Sequence, residues 1–167
     1  MFRRISDFTA AWARERESTL RILRALDDRS LGQAVASDHR TLGRLGWHLA
    51  TTLGEMMERT GLKIAGPAYD SPVPASAAEI VRAYEAASLA VADRVKDGWD
   101  DAALEATDDM YGERWPRGLT LQALVTHQAH HRGQMTVLMR QAGLAVPGVY
   151  GPAREEWAAY GMAAPEV

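Results

Sequence analysis

Histidines are the residues of this chain best suited to chemistry, and three of its five histidines lie within five consecutive positions. These three are His127, His130 and His131, and the other two are His39 and His48. Imidazole nitrogens bind divalent metals, and residues four apart on a helix project from the same face. The pair His127 and His131 therefore suggests two ligands of a metal site, although a single helical histidine is more often a packed or solvated side chain.

A helical wheel of about 100° per residue places these side chains relative to the apolar face of their helix. Measured from the centre of that face, His131 falls at about 55°, His127 at about 95° and His130 at about 150°. We therefore expect the first two to face the interior or its rim, and His130 to face solvent. Gln134 falls beside His127, where it could orient a ligand. On another predicted helix, His48 lies at about 110° from its own apolar face.

Three imidazoles, from His48 and the pair, would leave a divalent ion its full charge and at least one open coordination position. An open position is typical of catalytic rather than structural metal sites. Nitrogen ligands favour zinc or nickel, and iron or copper is also compatible with them. A zincin protease is excluded, because its motif needs a glutamate as general base where this chain has Gln128.

Glu55 is the candidate catalytic residue, because it shares one flank of its helix with His48. It could orient a ligand or act as a base toward water at the metal. The alternative is a solvated glutamate that pairs with Arg59, four positions later. Arg132 could bind a carboxylate, but it falls on the edge opposite the site, which favours a salt bridge between helices. Gly133 suggests close approach by another helix, since glycine costs about 1 kcal/mol inside a helix.

The elements that would position these residues are predicted to be helical, because apolar residues recur at helical spacing and strand-like alternation is scarce. The predicted helices span about 3–27, 41–60, 76–98 and 120–143, with a short helical segment at 153–160. Dense prolines between the second and third helices predict a long crossover there. The sequence thus predicts an all-α fold, a four-helix bundle that forms a single domain over residues 1–167.

Local signals predict where these helices begin. Thr41 and Thr120 are suitable N-cap residues for the second and fourth helices. Ser76 followed by Glu79 has the pattern of a capping box at the start of the third helix. The stretch between the third and fourth helices is predicted to be a polar connection.

Composition and charge exclude several classes of protein and of site. Nineteen basic and twenty-two acidic residues give a net charge of −3, which provides no basic field for nucleic acid. The chain has no cysteine, so disulfides, thiolate metal sites and a cysteine nucleophile are excluded. The sequence contains neither the run of about 18 apolar residues typical of a membrane span nor the apolar segment of a signal peptide. We expect a cytoplasmic protein that binds neither nucleic acid nor membranes.

The block His-His-Arg-Gly-Gln at 130–134 is the most specific motif, and related motifs lie at 41–50, 115–121, 140–143 and 147–152. With these motifs the chain resembles the DinB/YfiT superfamily of metal-dependent enzymes. The resemblance implies an up-and-down four-helix bundle, often a homodimer, with a divalent metal held by His48, His127 and His131. It also implies a small-molecule substrate, since some relatives resemble S-transferases and isomerases that use low-molecular-weight thiols, and others resemble hydrolases.

Two functions remain open from the sequence. The first is a metal-dependent enzyme, of the hydrolase or low-molecular-weight-thiol S-transferase type, whose nucleophile is water or a thiolate. The second is a non-catalytic helical module for dimerisation or partner binding, with a structural or adventitious metal. Three nitrogen ligands favour the enzyme, because structural zinc normally has four protein ligands.

Overall fold

The computed structural model describes residues 1–166, and the chain is mostly helical. The long helices are α1 (Ile5–Arg24), α2 (Leu42–Glu58), α3 (Ala77–Gly98) and α4 (Arg117–Gln141). Short 3₁₀ segments span Ser30–Gly32, Ala102–Glu105 and Arg154–Tyr160. Strands β1 (Thr107–Met110) and β2 (Glu113–Pro116) form an antiparallel hairpin before α4, so the prediction of a purely α-helical chain is wrong at this point. Within residues 1–166, no helix is both long and apolar enough to cross a membrane.

The packing of the helices brings α2 and α4 together. Both α1 and α2 contact α3 and α4, and the core between them contains fully buried residues from every long helix, such as Phe8, Leu49, Tyr84 and Leu121. Burying a large apolar side chain contributes about 1.5–3 kcal/mol, so this shared core is the main source of stability. It also fixes the two histidine-bearing helices next to each other.

The N-termini of α1 and α3 are capped by aspartates from distant parts of the chain. Asp101 Oδ1 accepts a hydrogen bond from Ile5 N at 2.8 Å, and Asp28 Oδ1 accepts one from Ala77 N at 2.8 Å. A carboxylate at a helix N-terminus satisfies a free N–H group and complements the helix dipole. The predicted capping box is wrong, because the Ser76 side chain makes no capping hydrogen bond.

The predicted start of α2 is confirmed, and that of α4 is wrong. Thr41 Oγ1 accepts a hydrogen bond from Arg44 N at 3.1 Å, which caps α2 as expected. By contrast, α4 begins at Arg117 with Pro116 as its N-cap, and the Thr120 side chain is buried within the first turn. Since β2 ends at this N-cap, the hairpin sets where α4 begins.

A buried ion pair joins α4 to α1. Arg132, only 2% exposed, donates to the carboxylate of Glu15 and, through Nη1, to Thr19 Oγ1 at 2.8 Å. Tyr150 OH, from the segment after α4, donates to the same carboxylate at 2.7 Å. The salt bridge between helices predicted for Arg132 is thus confirmed. The close approach predicted at Gly133 is wrong, because a Cβ added there would meet no atom of another described helix within 4 Å.

Candidate metal centre

The side chains of His48, His127 and His131 converge between α2 and α4, and we call them the histidine trio. His127 Nε2 lies 3.1 Å from His48 Nε2 and 3.1 Å from His131 Nε2. One nitrogen from each ring lies within 4.8 Å of the other two. Ligands at about 2.0–2.1 Å from a zinc ion, at tetrahedral or octahedral angles, lie about 2.9–3.4 Å apart. The spacing therefore suits a set of metal ligands.

Helical geometry explains how the trio is assembled. His127 and His131 lie one turn apart on α4, with ring centroids separated by 4.4 Å. His48 reaches them from α2, with ring centroids 5.0 Å from His127 and 4.7 Å from His131. His48 and His131 are each only 6% exposed, whereas His130 is exposed, as the wheel predicts. The structure thus brings together the three residues selected from the sequence and leaves His130 outside the trio.

A hydrogen bond fixes the tautomer of His131. Its Nδ1 lies 2.7 Å from Gln134 Oε1, and since a carbonyl oxygen only accepts, Nδ1 bears the proton and Nε2 presents its lone pair. Gln134 therefore orients His131 and not His127, which corrects the prediction from the wheel. Nδ1 of His48 and Nδ1 of His127 are buried and have no hydrogen-bond partner among the described residues.

The donor set fits a divalent metal ion better than it fits hydrogen bonds among the rings. The unprotonated Nε2 of His131 faces His127 Nε2, which also faces Nε2 of His48. One N–H group cannot align well with two acceptors at once. A divalent cation accepts a lone pair from all three nitrogens, and imidazole suits zinc, nickel, copper and iron.

Burial keeps the imidazoles of the trio neutral. Burial, together with the neighbouring histidines, lowers the pKa of His48 from 6.5 to about 3 and that of His127 to about 4. Burial also lowers the pKa of His131. Neutral rings at pH 7 offer their lone pairs to a metal without first releasing a proton.

We expect the metal-free protein to lose stability as the pH falls below about 6.5. His48 takes up a proton near pH 6.5 when unfolded but has a pKa of about 3 when folded. Between these values the unfolded state binds more protons, so the free energy of unfolding decreases toward lower pH. Urea unfolding at about pH 7 and pH 5 should show a smaller decrease in His48→Gln than in the wild type. The matched variant of an exposed histidine, His39→Gln, should retain the wild-type decrease, and an identical decrease in all three proteins would contradict this interpretation.

Two cavities adjoin the trio through different members. One, of about 440 Å³, is lined by His48, His127 and Glu55, and we call it the Glu55 cavity. The other, of about 620 Å³, is lined by His131 and Arg40, and we call it the Arg40 cavity. Both volumes are typical of small-molecule sites. A ligand could therefore reach the trio from either cavity.

Glu55 is held in its cavity by two hydrogen-bond donors. Arg59 Nε donates to Glu55 Oε1 and Tyr111 OH donates to Oε2, each at 2.7 Å. The Arg59 guanidinium lies 4.3 Å from the centroid of the Tyr111 ring. The ion pair with Arg59, considered as the alternative from the sequence, is therefore present. The same carboxylate borders the cavity that His48 and His127 line.

The element that brings Tyr111 to Glu55 is a β-hairpin that the sequence did not predict. Tyr111 and Gly112 form the turn between β1 and β2, with φ values of 61° and 88°. Two-residue hairpin turns with positive φ favour Asn-Gly or Asp-Gly, and a positive φ is unfavourable for tyrosine. Here the glycine is present but the preceding Asn or Asp is not, so the sequence did not predict a hairpin turn at this point. The contacts of Tyr111 with Glu55 and Arg59 help to offset the backbone strain.

The chain is similar in sequence and in structure to known proteins. The sequence model of the DinB family matches residues 1–166. The chain is 45% identical over 167 residues to the uncharacterized protein YrdA of Bacillus subtilis (strain 168), and the match covers 100% of both chains. The crystal structure of a DinB-like protein from Bacillus cereus ATCC 10987 is similar with a TM-score of 0.86 and 45% identity, over 90% of this chain and 100% of that one.

A more distant structure shows the same fold. The DinB-like protein YjoA of Bacillus subtilis has a TM-score of 0.67 at 13% identity, over 88% of this chain and 99% of that one. The resemblance noted from the histidine block and its neighbouring motifs is confirmed by these matches. The chain belongs to the DinB family.

Proposed function

We propose that this protein is a metal-dependent enzyme in which His48, His127 and His131 hold a divalent metal ion. The main support is the convergence of three Nε2 atoms from two helices beside two cavities. Three protein ligands leave coordination positions for a small molecule, as in catalytic rather than structural sites. Zinc or nickel suits the nitrogen ligands best, and iron or copper remains compatible.

The proposed reaction is hydrolysis or transfer of a low-molecular-weight thiol. A bound divalent ion acts as a Lewis acid that lowers the pKa of water or of a thiol and so supplies a nucleophile at neutral pH. Each oxygen of Glu55 accepts one hydrogen bond and keeps a lone pair that can take the proton from the nucleophile. Arg59 and Tyr111 hold this carboxylate in place, and Gln134 holds the ring of His131.

We also propose how the four long helices are arranged and connected. The contacts of α1 and α2 with both α3 and α4 support an up-and-down four-helix bundle. The connection over residues 59–76 would be its long crossover. The homodimer, the small-molecule substrate and the cytoplasmic location remain predictions from the sequence.

An activity panel with a chelator tests the enzyme. Protein loaded with zinc or nickel is assayed for hydrolysis of activated esters and amides, and for addition of thiols to electrophiles. We expect turnover that a chelator abolishes and added metal restores. Glu55→Gln should lower this turnover by about 100- to 10,000-fold, because general-base catalysis usually contributes that much, while the metal content stays unchanged.

The matched control is Glu58→Gln, which changes an exposed glutamate on the same helix and should keep the wild-type turnover. Equal losses in both variants would contradict the role of Glu55. Turnover that is absent across the panel, or insensitive to the chelator, would instead support the non-catalytic binding module.

A further inference from the structure

Two arginines without carboxylate partners lie at the start of α2, near the trio. Arg40 precedes the N-cap Thr41, and Arg44 lies in the first turn of α2. Among residues 1–166, neither arginine forms an ion pair. After burial and neighbouring histidines, the charge of Arg40 also contributes to the lowered pKa of every histidine in the trio. Arg40 and His131 also line the same cavity, so this cation lies near the candidate metal centre.

The charge around the Arg40 cavity would be positive once a metal ion is bound, because the formal charges of Arg40 and Asp38, which both line it, cancel in the metal-free protein. The trio is neutral, and the one carboxylate that lines this cavity, Asp38, has His39 Nδ1 at 2.6 Å. A divalent ion held by the trio would add a charge of about +2 beside the two arginines. Repulsion between these cations would weaken metal binding unless an anion lies between them. The charges thus favour an anionic ligand.

Four apolar side chains also line the Arg40 cavity, together with the polar side chains of His130 and Gln134. Leu45 and Leu138, each 4% exposed, line its buried part. Val35 and Val137 also line it, but they are 59% and 54% exposed. An apolar chain lying on these valines would remove their surface from water, which is favourable. The ligand should therefore combine a negative charge with an apolar chain.

We propose that the Arg40 cavity binds an amphipathic carboxylate, with its head group between Arg40 and the trio and its apolar chain along Val35 and Val137. A guanidinium binds a carboxylate through two parallel hydrogen bonds. Arg44 does not line the cavity and the first turn of α2 is already capped by Thr41, so Arg40 is the main anion contact, which favours a monoanion. This inference names a substrate class for the proposed enzyme, and it rests on the proposed metal centre, whose charge favours an anion, as well as on Arg40.

Titrations followed by ¹H–¹⁵N NMR test the site, with hexanoate, acetate and hexylammonium as probes. Both metal-free and zinc-loaded protein are used, so that binding to the metal is separated from binding to Arg40. We expect hexanoate to give saturable shifts at the amides of Val35 and Val137. Acetate should bind at least about tenfold more weakly, because it lacks the apolar chain. Hexylammonium should not bind, because its charge has the wrong sign.

Variants of two exposed arginines provide the decisive comparison. Arg40→Gln should weaken hexanoate binding by about tenfold. Arg94→Gln removes the same charge from the exposed face of α3 and should change the affinity by less than about twofold. Equal effects of the two variants, absence of hexanoate binding, or equal binding of hexylammonium would overturn the proposal.

Elemental analysis of the same samples separates this proposal from the proposed function. Hexanoate binding in a protein that retains no zinc would contradict the metal centre but not the carboxylate site. Zinc retention without hexanoate binding would contradict the carboxylate site alone. Because Arg40 is exposed, Arg40→Gln should fold normally, and circular dichroism checks this.

Discussion

Replacing His127 with alanine is expected to reduce the metal content of the untagged protein from about one ion per chain to less than about 0.1. His127 Nε2 is the central atom of the trio, at 3.1 Å from the nitrogens of both His48 and His131. Its removal leaves two ligands on different helices. The loss of affinity should exceed the about 10- to 100-fold that follows loss of a hydrogen-bond partner of a ligand. Elemental analysis after gel filtration measures the metal content, and competition with a chelating dye measures the affinity for the metal.

The control for this experiment is His130→Ala, three positions further along α4. His130 is exposed and lies outside the trio, so this variant should keep the metal. Equal retention by the two variants would mean that His127 is not a ligand. A wild-type protein without metal, and unable to take up added zinc, would refute the metal centre altogether.

Replacing Glu15 with alanine is expected to destabilise the protein by about 3–5 kcal/mol. The guanidinium of Arg132 is 2% exposed and the side chain of Glu15 is 12% exposed, so the variant leaves a buried charge without its partner. Removing one member of a buried ion pair is costly because the other cannot regain its hydration. Urea unfolding measures the loss, and the Tm should fall by about 10 °C or more.

Two further variants test whether the loss of stability in Glu15→Ala arises from the unpaired charge of Arg132. Glu155→Ala breaks the pair with Arg140, in which the side chains are 41% and 44% exposed, and should cost less than about 1 kcal/mol. In the double variant, Arg132→Met should recover most of the stability that Glu15→Ala loses, because the buried charge is gone. If Glu15→Ala costs no more than Glu155→Ala, the buried pair contributes little.

The convergence of the trio could be predicted because it depends mainly on helical periodicity. The four-residue spacing of His127 and His131 places them on one flank of α4, whatever the rest of the fold does. His48 required only that α2 lie beside α4. The partner of Gln134 was predicted wrongly, because a wheel gives the direction of a side chain but not its reach. Gln134 bonds to His131, three residues away, instead of to His127, seven residues away.

Individual hydrogen-bond partners that are distant along the chain could not be predicted. The hydrogen bond between Tyr111 and Glu55 spans 56 positions, and the cap from Asp28 to α3 spans 49. Local patterns contain no information about such partners, so Ser76 was assigned a capping role that Asp28 performs. The start of α4 was misplaced for a similar reason, because the preceding hairpin and not Thr120 defines it. Nothing in the structure explains Gly133.

The aspartate caps couple the ends of helices that are far apart along the chain. Ile5 N and Asp101 are separated by 96 positions, yet fraying of the first turn of α1 removes the partner of Asp101. Conversely, loosening of the connection before β1 releases the N-terminus of α1. We therefore expect the openings of these two places to be coupled through this hydrogen bond, and native-state hydrogen exchange would measure that coupling. The N-terminal segment is thus tied to the connection that leads into the hairpin, and this hairpin brings Tyr111 to Glu55.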